Sequence, residues 1–363
     1  MPERMAVYVH IVTYNSGGYI RHALEALLRL ESFTLGENLV VDVTDNASCD
    51  DSYENAREYS PRGVTVYRNS SNLGFCGAHN QGLRRFLDSN CDFYLCLNPD
   101  VALRPDALTE LCSAFEKSGV GSACPKLVRA DELLQPLEPS VIDAAGMIIT
   151  PSLRHFDRGA GESDTGQYSA ECAVFGGSGA CLIMSREFVE SLIVEGKFES
   201  DIDALYPALA AGRSKRALLF DEAFFAYRED ADLAWRAQYL GWKCAFVPSA
   251  CGYHVRFVTP ERRKILPATI NSLGVRNRFL LQLNNYSLLL GAAPFFIGYL
   301  FRNCVVIAGV ILRERSSIGG LLELRYLLRR AFERRKLIMR RRKASPQEVG
   351  RWFRSAGHIE ELK

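Results

Sequence analysis

None of the eleven cysteines is spaced as a Cys-x-x-Cys pair, and their number is odd. That pattern argues against a structural zinc site or a disulfide framework, so the thiols read as reduced core residues of a cytoplasmic protein. Met1-Pro2-Glu3-Arg4 runs straight into a strand pattern without a signal-peptide profile, and export is not expected. No Gly-Lys-Ser/Thr follows a glycine-rich loop, and the G-x-G-x-x-G spacing is missing, so neither a Walker loop nor a dinucleotide fingerprint is present. Internal repeats and low-complexity tracts are also lacking.

What is there is an ordinary globular composition, 48% hydrophobic and 24% charged over 363 residues. That is enough for one large domain plus an appendage. The net charge of +2 hides an asymmetry, because Arg325 to Lys343 holds ten Lys or Arg and one acid, Glu333. Such a local excess points to an anionic surface.

Short apolar runs at 6–14, 39–43, 64–67 and 93–97 alternate with helical patterns; the helix after the first run carries Ile20, Ala23, Leu24, Leu27 and Leu28 on one face. This alternation predicts an α/β layered domain with a mainly parallel sheet. Ligands collect at the carboxyl ends of such strands, where polar clusters fall at 13–16, 44–50 and 98–100. Residues 130–168 read as a loop excursion and 196–217 as a second insertion, with the sheet resuming at 171–185 and 243–247.

Several clusters have the residue types that chemistry needs. Residues 220–236 interleave five carboxylates with five aromatic rings at the start of a helical pattern expected over 230–240. Rings penalise the charged form of a carboxyl and poise it as a proton acceptor; equally, Glu229, Asp230 and Asp232 suit the dipole of a helix start. Leu97-Asn98-Pro99-Asp100 ends a buried strand with a carboxylate suited to Mg2+ or Mn2+, or forms a plain Asn-Pro turn. Asp45 and Asn46 follow another strand, where a carboxylate can accept from a pyrimidine N–H or a ribose hydroxyl, while Ser48 or Asp50 caps the next helix. Gly74, Gly77 and Gly82 lie at a loop-to-helix transition, where glycines allow a ligand close approach. Gly176-Gly177-Ser178-Gly179 gives floor space for a sugar ring or makes a tight bend. His254 follows a strand, as a structural histidine or a ligand.

In order along residues 6–256, the segments Val12-Thr13-Tyr14-Asn15, Asp45-Asn46-Ala47-Ser48, Asn72 to Gly82, Leu97-Asn98-Pro99-Asp100, Gly176 to Ala180, Phe220 to Phe225 and Glu229-Asp230-Ala231-Asp232-Leu233 resemble glycosyltransferase family 2. These are inverting enzymes of the GT-A fold, and the resemblance is to their bacterial rhamnosyltransferase-like branch. It implies a nucleotide pocket lined by Thr13, Tyr14, Asn15 and Asp45, with Asn46, Gly74, Asn80, Asn98 and Gly177 around the donor. It implies a metal, Mg2+ or Mn2+, at Asp100 and His254, and Asp230 as catalytic base beside Glu229. Asn98 departs from the family by replacing the first Asp of its metal motif. The implied reaction moves a sugar, L-rhamnose from dTDP-L-rhamnose or the sugar of a UDP donor, onto a surface glycan or lipid-linked oligosaccharide. A non-catalytic scaffold is the rival reading. Asp221, Glu222 and Asp232 are expected to be structural.

The chain then divides into a domain at 1–261 and a helical region at 262–363. Residues 288–301 and 305–312 are apolar but broken by Arg302-Asn303, so helices lying on the inner face of the plasma membrane are expected rather than a span. The basic 325–343 segment would meet anionic headgroups there; the rival is a packed helical subdomain with a solvated basic face. Sparse aromatic interleaving argues against nucleic acid. Homo-oligomerisation is left open.

Overall fold

A computed structural model describes residues 5–194, 199–212, 218–256, 267–287, 293–354 and 357–362. In chain order it builds β1 (Val7–Thr13), α1 (Ile20–Leu27), β2 (Leu39–Asp45), α2 (Ser52–Arg57), β3 (Thr65–Arg68), α3 (Gly74–Leu87) and β4 (Phe93–Leu97). There follow β5 (Val101–Leu103), α4 (Ala107–Ser113), β6 (Val120–Arg129), β7 (Ile142–Ala144), β8 (Met147–Ile149), β9 (His155–Asp157), β10 (Cys172–Val174) and β11 (Cys181–Ser185). The rest comprises α5 (Arg186–Leu192), α6 (Glu199–Asp203), α7 (Pro207–Gly212), α8 (Glu229–Leu240), β12 (Lys243–His254), α9 (Ala268–Asn285), α10 (Ala293–Arg313), α11 (Ile318–Arg341) and α12 (Pro346–Arg351).

The principal sheet runs β10-β12-β6-β11-β4-β1-β2-β3, with β5 paired to β12 and β7 to β6. β4, β1, β2 and β3 are mutually parallel, as are β6 and β12, while β11 runs antiparallel between β4 and β6. The β-branched runs form these strands because both faces are covered. On β1, Val7, Val9 and Ile11 face one core with α1 and α4, while Tyr8 faces the other with α3 and α8.

The expected loop excursion at 130–168 is more ordered than its polar sequence suggests. It pairs β7 antiparallel to the end of β6 and makes a separate β8–β9 hairpin. The second insertion contributes α6 and α7, with 195–198 and 213–217 outside the described residues. The expected boundary at 261–262 and the start of the apolar region at 288–292 also lie outside them.

The C-terminal region is not a detached appendage. α9 packs on α8 and α11. On α11 the positions Leu327, Arg330, Ala331, Arg334 and Ile338 are buried, which is one helical stripe. Two members of that stripe are the basic residues expected at a lipid surface. Arg330 donates to both oxygens of Asp221, at 2.6 and 3.0 Å, and Arg334 Nε lies 3.1 Å from Asp221 Oδ2. Arg334 also approaches Asp232 at 3.8 Å. Asp221 and Asp232 are thus held in buried ion pairs, and the arginines that meet Asp221 come from about a hundred residues downstream. Only part of the basic segment, including Arg325, Arg329, Lys336 and Arg340, is exposed. No helix among the described residues is long and apolar enough to cross a membrane.

Breaking a buried pair leaves an uncompensated charge. Arg330→Met is therefore expected to cost about 3 kcal/mol of stability in chemical denaturation, and adding Asp221→Asn to recover part of that loss. A single variant as stable as the parent would show that the cluster does not hold α11 in place.

Candidate active site

The parallel register brings Thr13 beside Asp45 at the carboxyl ends of β1 and β2. Both are fully buried, and Thr13 Oγ1 and Asp45 Oδ1 have no hydrogen-bond partner. Orphaned buried polar atoms cost about 1–3 kcal/mol each and mark a place where a ligand supplies the missing bonds. The other Asp45 oxygen accepts from Ser48 N–H at 3.2 Å and lies 3.5 Å from Arg68. Tyr14 is exposed. Asn15, at φ +53°, accepts from Cys49 N–H at 2.9 Å and so ties the loop after β1 to the loop after β2.

Four expected donor contacts turn inward instead. Asn46 donates to Asn72 Oδ1 and Gly74 O and accepts from Asn69 and Leu73 N–H, all within 3.1 Å, so its amide is spent holding the 69–74 loop. Asn80 clamps residue 220, donating to Phe220 O at 2.9 Å and accepting from Phe220 N–H at 3.1 Å. Gly74 leaves room for protein and not for a ligand: at φ +70° a Cβ would lie 2.4 Å from Phe225 O. At Gly177 a Cβ would lie 2.7 Å from Cys124 and Leu182, so the position needs glycine for packing within the protein.

Asp100 stands immediately before β5, and the antiparallel register Val101↔His254 sets it beside the end of β12. Asp100 Oδ1 is buried without a hydrogen bond and lies 3.6 Å from His254 Nε2. The other ring nitrogen, Nδ1, is fixed by Asp143 Oδ2 at 2.7 Å. Burial pulls the His254 pKa down, but Asp100 and Asp143 outweigh it and push it up to about 10. The two carboxylates favour positive charge between them. A carboxylate with a free oxygen beside a histidine oriented by a second carboxylate fits a divalent ion. Two protein ligands are fewer than a closed cage, and no group of three His, Cys, Asp or Glu able to hold a metal occurs among the described residues. Diphosphate and water oxygens would have to complete such a shell.

The carboxylate pair lies at the other end. Asp230 Oδ2 accepts from Gly179 N–H at 3.2 Å and Oδ1 from Ala231 N–H at 2.7 Å. Glu229 is buried, and its Oε2 has no partner. Burial, then the charge of Asp230, holds the Glu229 carboxyl well above the usual range. Burial and Asp157 raise that of Asp230, against the pull of the Gly179 and Ala231 N–H groups and Arg228. The two ends are one site: Gly179 meets Asp230, and the next residue, Ala180, accepts from Asn98 N–H at 2.8 Å.

What aims the pair is a tight loop with three non-glycine residues at positive φ, Phe225 (64°), Tyr227 (70°) and Arg228 (73°). Such conformations cost of order 1–3 kcal/mol each and persist only when neighbours over-determine them. The neighbours are on α9. Asn277 Nδ2 lies 2.8 Å from the carbonyls of Phe224, Ala226 and Tyr227, and Arg276 Nη2 donates to Ala223 O at 2.7 Å and Phe224 O at 3.0 Å. Sequence reasoning missed both residues, and it missed Asp143, Asp157 and Arg256 in the supposed loop excursion and beyond. Arg256 bridges Asp143 at 3.2 Å and Asp157 at 2.5 Å. Nothing local flags them, because their roles arise only from tertiary pairing.

Residues 8–192 match the family model described as glycosyl transferase family 2. The chain belongs to that family. Its fold is similar to the crystal structure of GalNAc-T7 with UDP, GalNAc and Mn2+, with a TM-score of 0.57, 13% identity, and coverage of 88% of this chain and 55% of that one. This chain therefore spans about half the length of GalNAc-T7. It is also similar to S. aureus TarS 1-349 in complex with UDP-GlcNAc, with a TM-score of 0.51, 15% identity, and coverage of 96% and 90%. At these identities the likeness concerns the fold. No curated protein matches the chain. Asp230 and His254 lie beyond the residues that the family model covers.

Asn277→Ala removes the amide that faces three carbonyls, of which Phe224 O keeps Arg276, and is expected to cost about 2 kcal/mol in denaturant unfolding. Asn277→Asp, which offers no N–H, should cost at least as much. Stability within 0.5 kcal/mol of the parent in both would show that α9 does not hold the loop.

Proposed function

We propose that the protein transfers a glycosyl group from a nucleoside-diphosphate sugar to an acceptor hydroxyl by single displacement with inversion, with Asp230 as the base. The observation that carries this reading is the Glu229–Asp230 pair, poised above the usual carboxylate range and joined through Gly179-Ala180 to Asn98 and Asp100. Thr13 and Asp45, with their unpartnered oxygens, would bind the nucleoside. Asp100 and His254 would hold Mg2+ or Mn2+, with Asp143 fixing the histidine ring. That cation, when bound, offsets charge developing on the departing diphosphate. Asp230 takes the acceptor proton on Oδ1 or Oδ2 as the hydroxyl attacks the anomeric carbon from the face opposite the diphosphate. Burial of Glu229 keeps that neighbour protonated while Asp230 works, because two adjacent carboxylates in a low-dielectric site do not both ionise readily.

The sequence resemblance supports L-rhamnose from dTDP-L-rhamnose as the donor and a surface glycan or lipid-linked oligosaccharide as the acceptor. The UDP in the names of both structural neighbours supports a UDP-sugar as the second reading, and the Mn2+ in one supports a divalent cation. A site on the inner face of the plasma membrane accords with the exposed apolar side chains of α10, Ile297, Phe301 and Leu312 among them.

A panel of dTDP- and UDP-sugars with Mn2+, read first by thermal stabilisation and then by transfer, tests the donor. Asp230→Asn is expected to lower kcat about 10²–10⁴-fold while donor binding persists; equal turnover would remove Asp230 as the base. The base must be ionised to act, and its carboxyl is raised, so kcat/KM should fall with decreasing pH through an apparent pKa above the ordinary carboxylate range. Asp157 and Arg228 are the charged groups that set it, together with burial and the N–H groups of Gly179 and Ala231. A profile flat down to the ordinary carboxylate range would contradict the pairing described.

A further inference from the structure

Most buried arginines of this fold find a carboxylate or a set of carbonyls: Arg236 has Asp232, Arg256 has Asp143 and Asp157, and Arg330 has Asp221. Three do not. Arg278, 6% exposed, has only the neutral Asn303 Oδ1, at 3.2 and 3.3 Å, and Ser152 O at 3.5 Å. Those two contacts put it between the hairpin turn that carries Arg154 and the turn of α10 that carries Arg302. Arg302 Nε is buried with no hydrogen-bond partner. Arg154 is half-buried over the Phe156 ring, 4.3 Å from its centroid. No carboxylate pairs with any of the three among the described residues. Burial and the neighbouring guanidiniums lower the pKa of Arg278 to about 10 and depress that of Arg154. Desolvated like charges without a counter-ion are costly.

Position says what kind of anion would suit the cluster. Arg228 Nε donates to Gly274 O at 3.2 Å, one turn before Arg278 on α9, and Arg228 Nη1 lies 3.1 Å from His155 Nδ1, next to Arg154. Arg228 in turn directly precedes Glu229, so the cluster flanks the carboxylate pair. On its other side is α10, which has no acidic residue and exposes Ile297, Leu300, Phe301, Val305, Ile311 and Leu312. Guanidinium forks match phosphate oxygens bidentately, and three of them suit a phosphate monoester or diphosphate better than a single carboxylate.

We propose that Arg154, Arg278 and Arg302 bind a phosphate group carried on an apolar chain, with the phosphate on the acceptor side of Asp230 and the chain against the outer face of α10. The proposal rests on the transferase reading and names the chemistry that its acceptor side would take. The phosphate has two sources, a lipid-linked acceptor or a phospholipid headgroup.

The test uses the full chain and Arg154→Gln/Arg302→Gln, with Arg154→Lys/Arg302→Lys to keep the charge and the exposed Arg340→Gln as a control for surface charge. Arg154→Gln alone, at the solvent edge, serves if the double variant fails to fold. Each protein is titrated with farnesyl phosphate, and separately sedimented with vesicles of phosphatidylcholine alone or mixed with phosphatidylglycerol. The Gln variant should bind at least about tenfold more weakly than the parent in one arm, a change worth about 1.4 kcal/mol, and the Lys variant should recover most of it. Loss in the farnesyl phosphate arm assigns the phosphate to the acceptor; loss confined to phosphatidylglycerol vesicles assigns it to a headgroup. Equal binding by parent and Gln variant in both arms, or an equal loss in Arg340→Gln, overturns the proposal. Failure of the transferase reading would look different: the parent itself would not be stabilised by any nucleotide sugar.

Discussion

Asp221 and Asp232 sit at the two ends of the segment that presents the carboxylate pair, and neither is satisfied from within that segment. Asp221 spends one oxygen on the turn at Ala223 N–H; the rest of its charge is met by Arg330, Arg334 and Asn284. Asp232 is met by Arg236 on its own helix and by Asn285 at 2.7 Å. Charges removed from water this completely are tolerable only when every partner is in place. The arrangement of α9 and α11 over α8 is therefore a condition for the segment 221–232 to exist in this form. Burial pushes the Asp221 carboxyl up, but Arg330 and Arg334 outweigh it and hold it far below the usual carboxylate range, so it stays ionised beside a Glu229 that is pushed the opposite way.

From that anchoring follows the geometry of the loop. A chain entering α8 through three residues in the left-handed region would relax if free. It is pinned by Asn277 and Arg276 from α9 and by Cys76 N–H, which donates to Phe225 O at 3.1 Å from the start of α3. Gly74 belongs to the same constraint, since only a glycine leaves Phe225 its place. The loop is thus gripped from both sides, by the start of α3 on one and by the C-terminal helices on the other. Its strain is offset by hydrogen bonds that no single element could supply.

How much of this was readable from the residues depends on the range of the interaction. The four parallel strands, the helix at 20–28 and the polar tips at 13, 45 and 100 were legible, because period-two and period-3.6 patterns are local. The order of the motifs carried the family. The glycines at 74 and 177 were visible as special positions but their reason was not, since steric need for a protein neighbour and for a ligand look alike in sequence. Asn46 and Asn80 show the same ambiguity: a buried amide that clamps a loop has the same letter as one that meets a sugar. The basic stripe at 325–343 misled for a related reason. Arg330 and Arg334 recur with helical spacing among leucines, and only the buried carboxylates a hundred residues away distinguish a packing stripe from a lipid-facing one.

The family model covers residues 8–192, and with them Thr13, Asp45 and Asp100. Everything gathered around Asp230 comes from later in the chain: Arg228, Gly274, Arg276, Asn277, Arg278, Arg302 and Arg330. The exceptions are Arg154, His155 and Asp157 from the β8–β9 hairpin and Gly179 of the glycine-rich turn. On the proposed reading the donor half is built by the shared sheet, where backbone register alone sets Thr13 beside Asp45. The acceptor half is built by helices whose contacts are side-chain specific. Helix-borne arginines can be moved by a turn or replaced without disturbing a strand register, whereas a one-residue slip in the sheet inverts every side chain. Acceptor choice is therefore the part of the chemistry that this architecture leaves free to change, and α9 and α10 are where that change would be written.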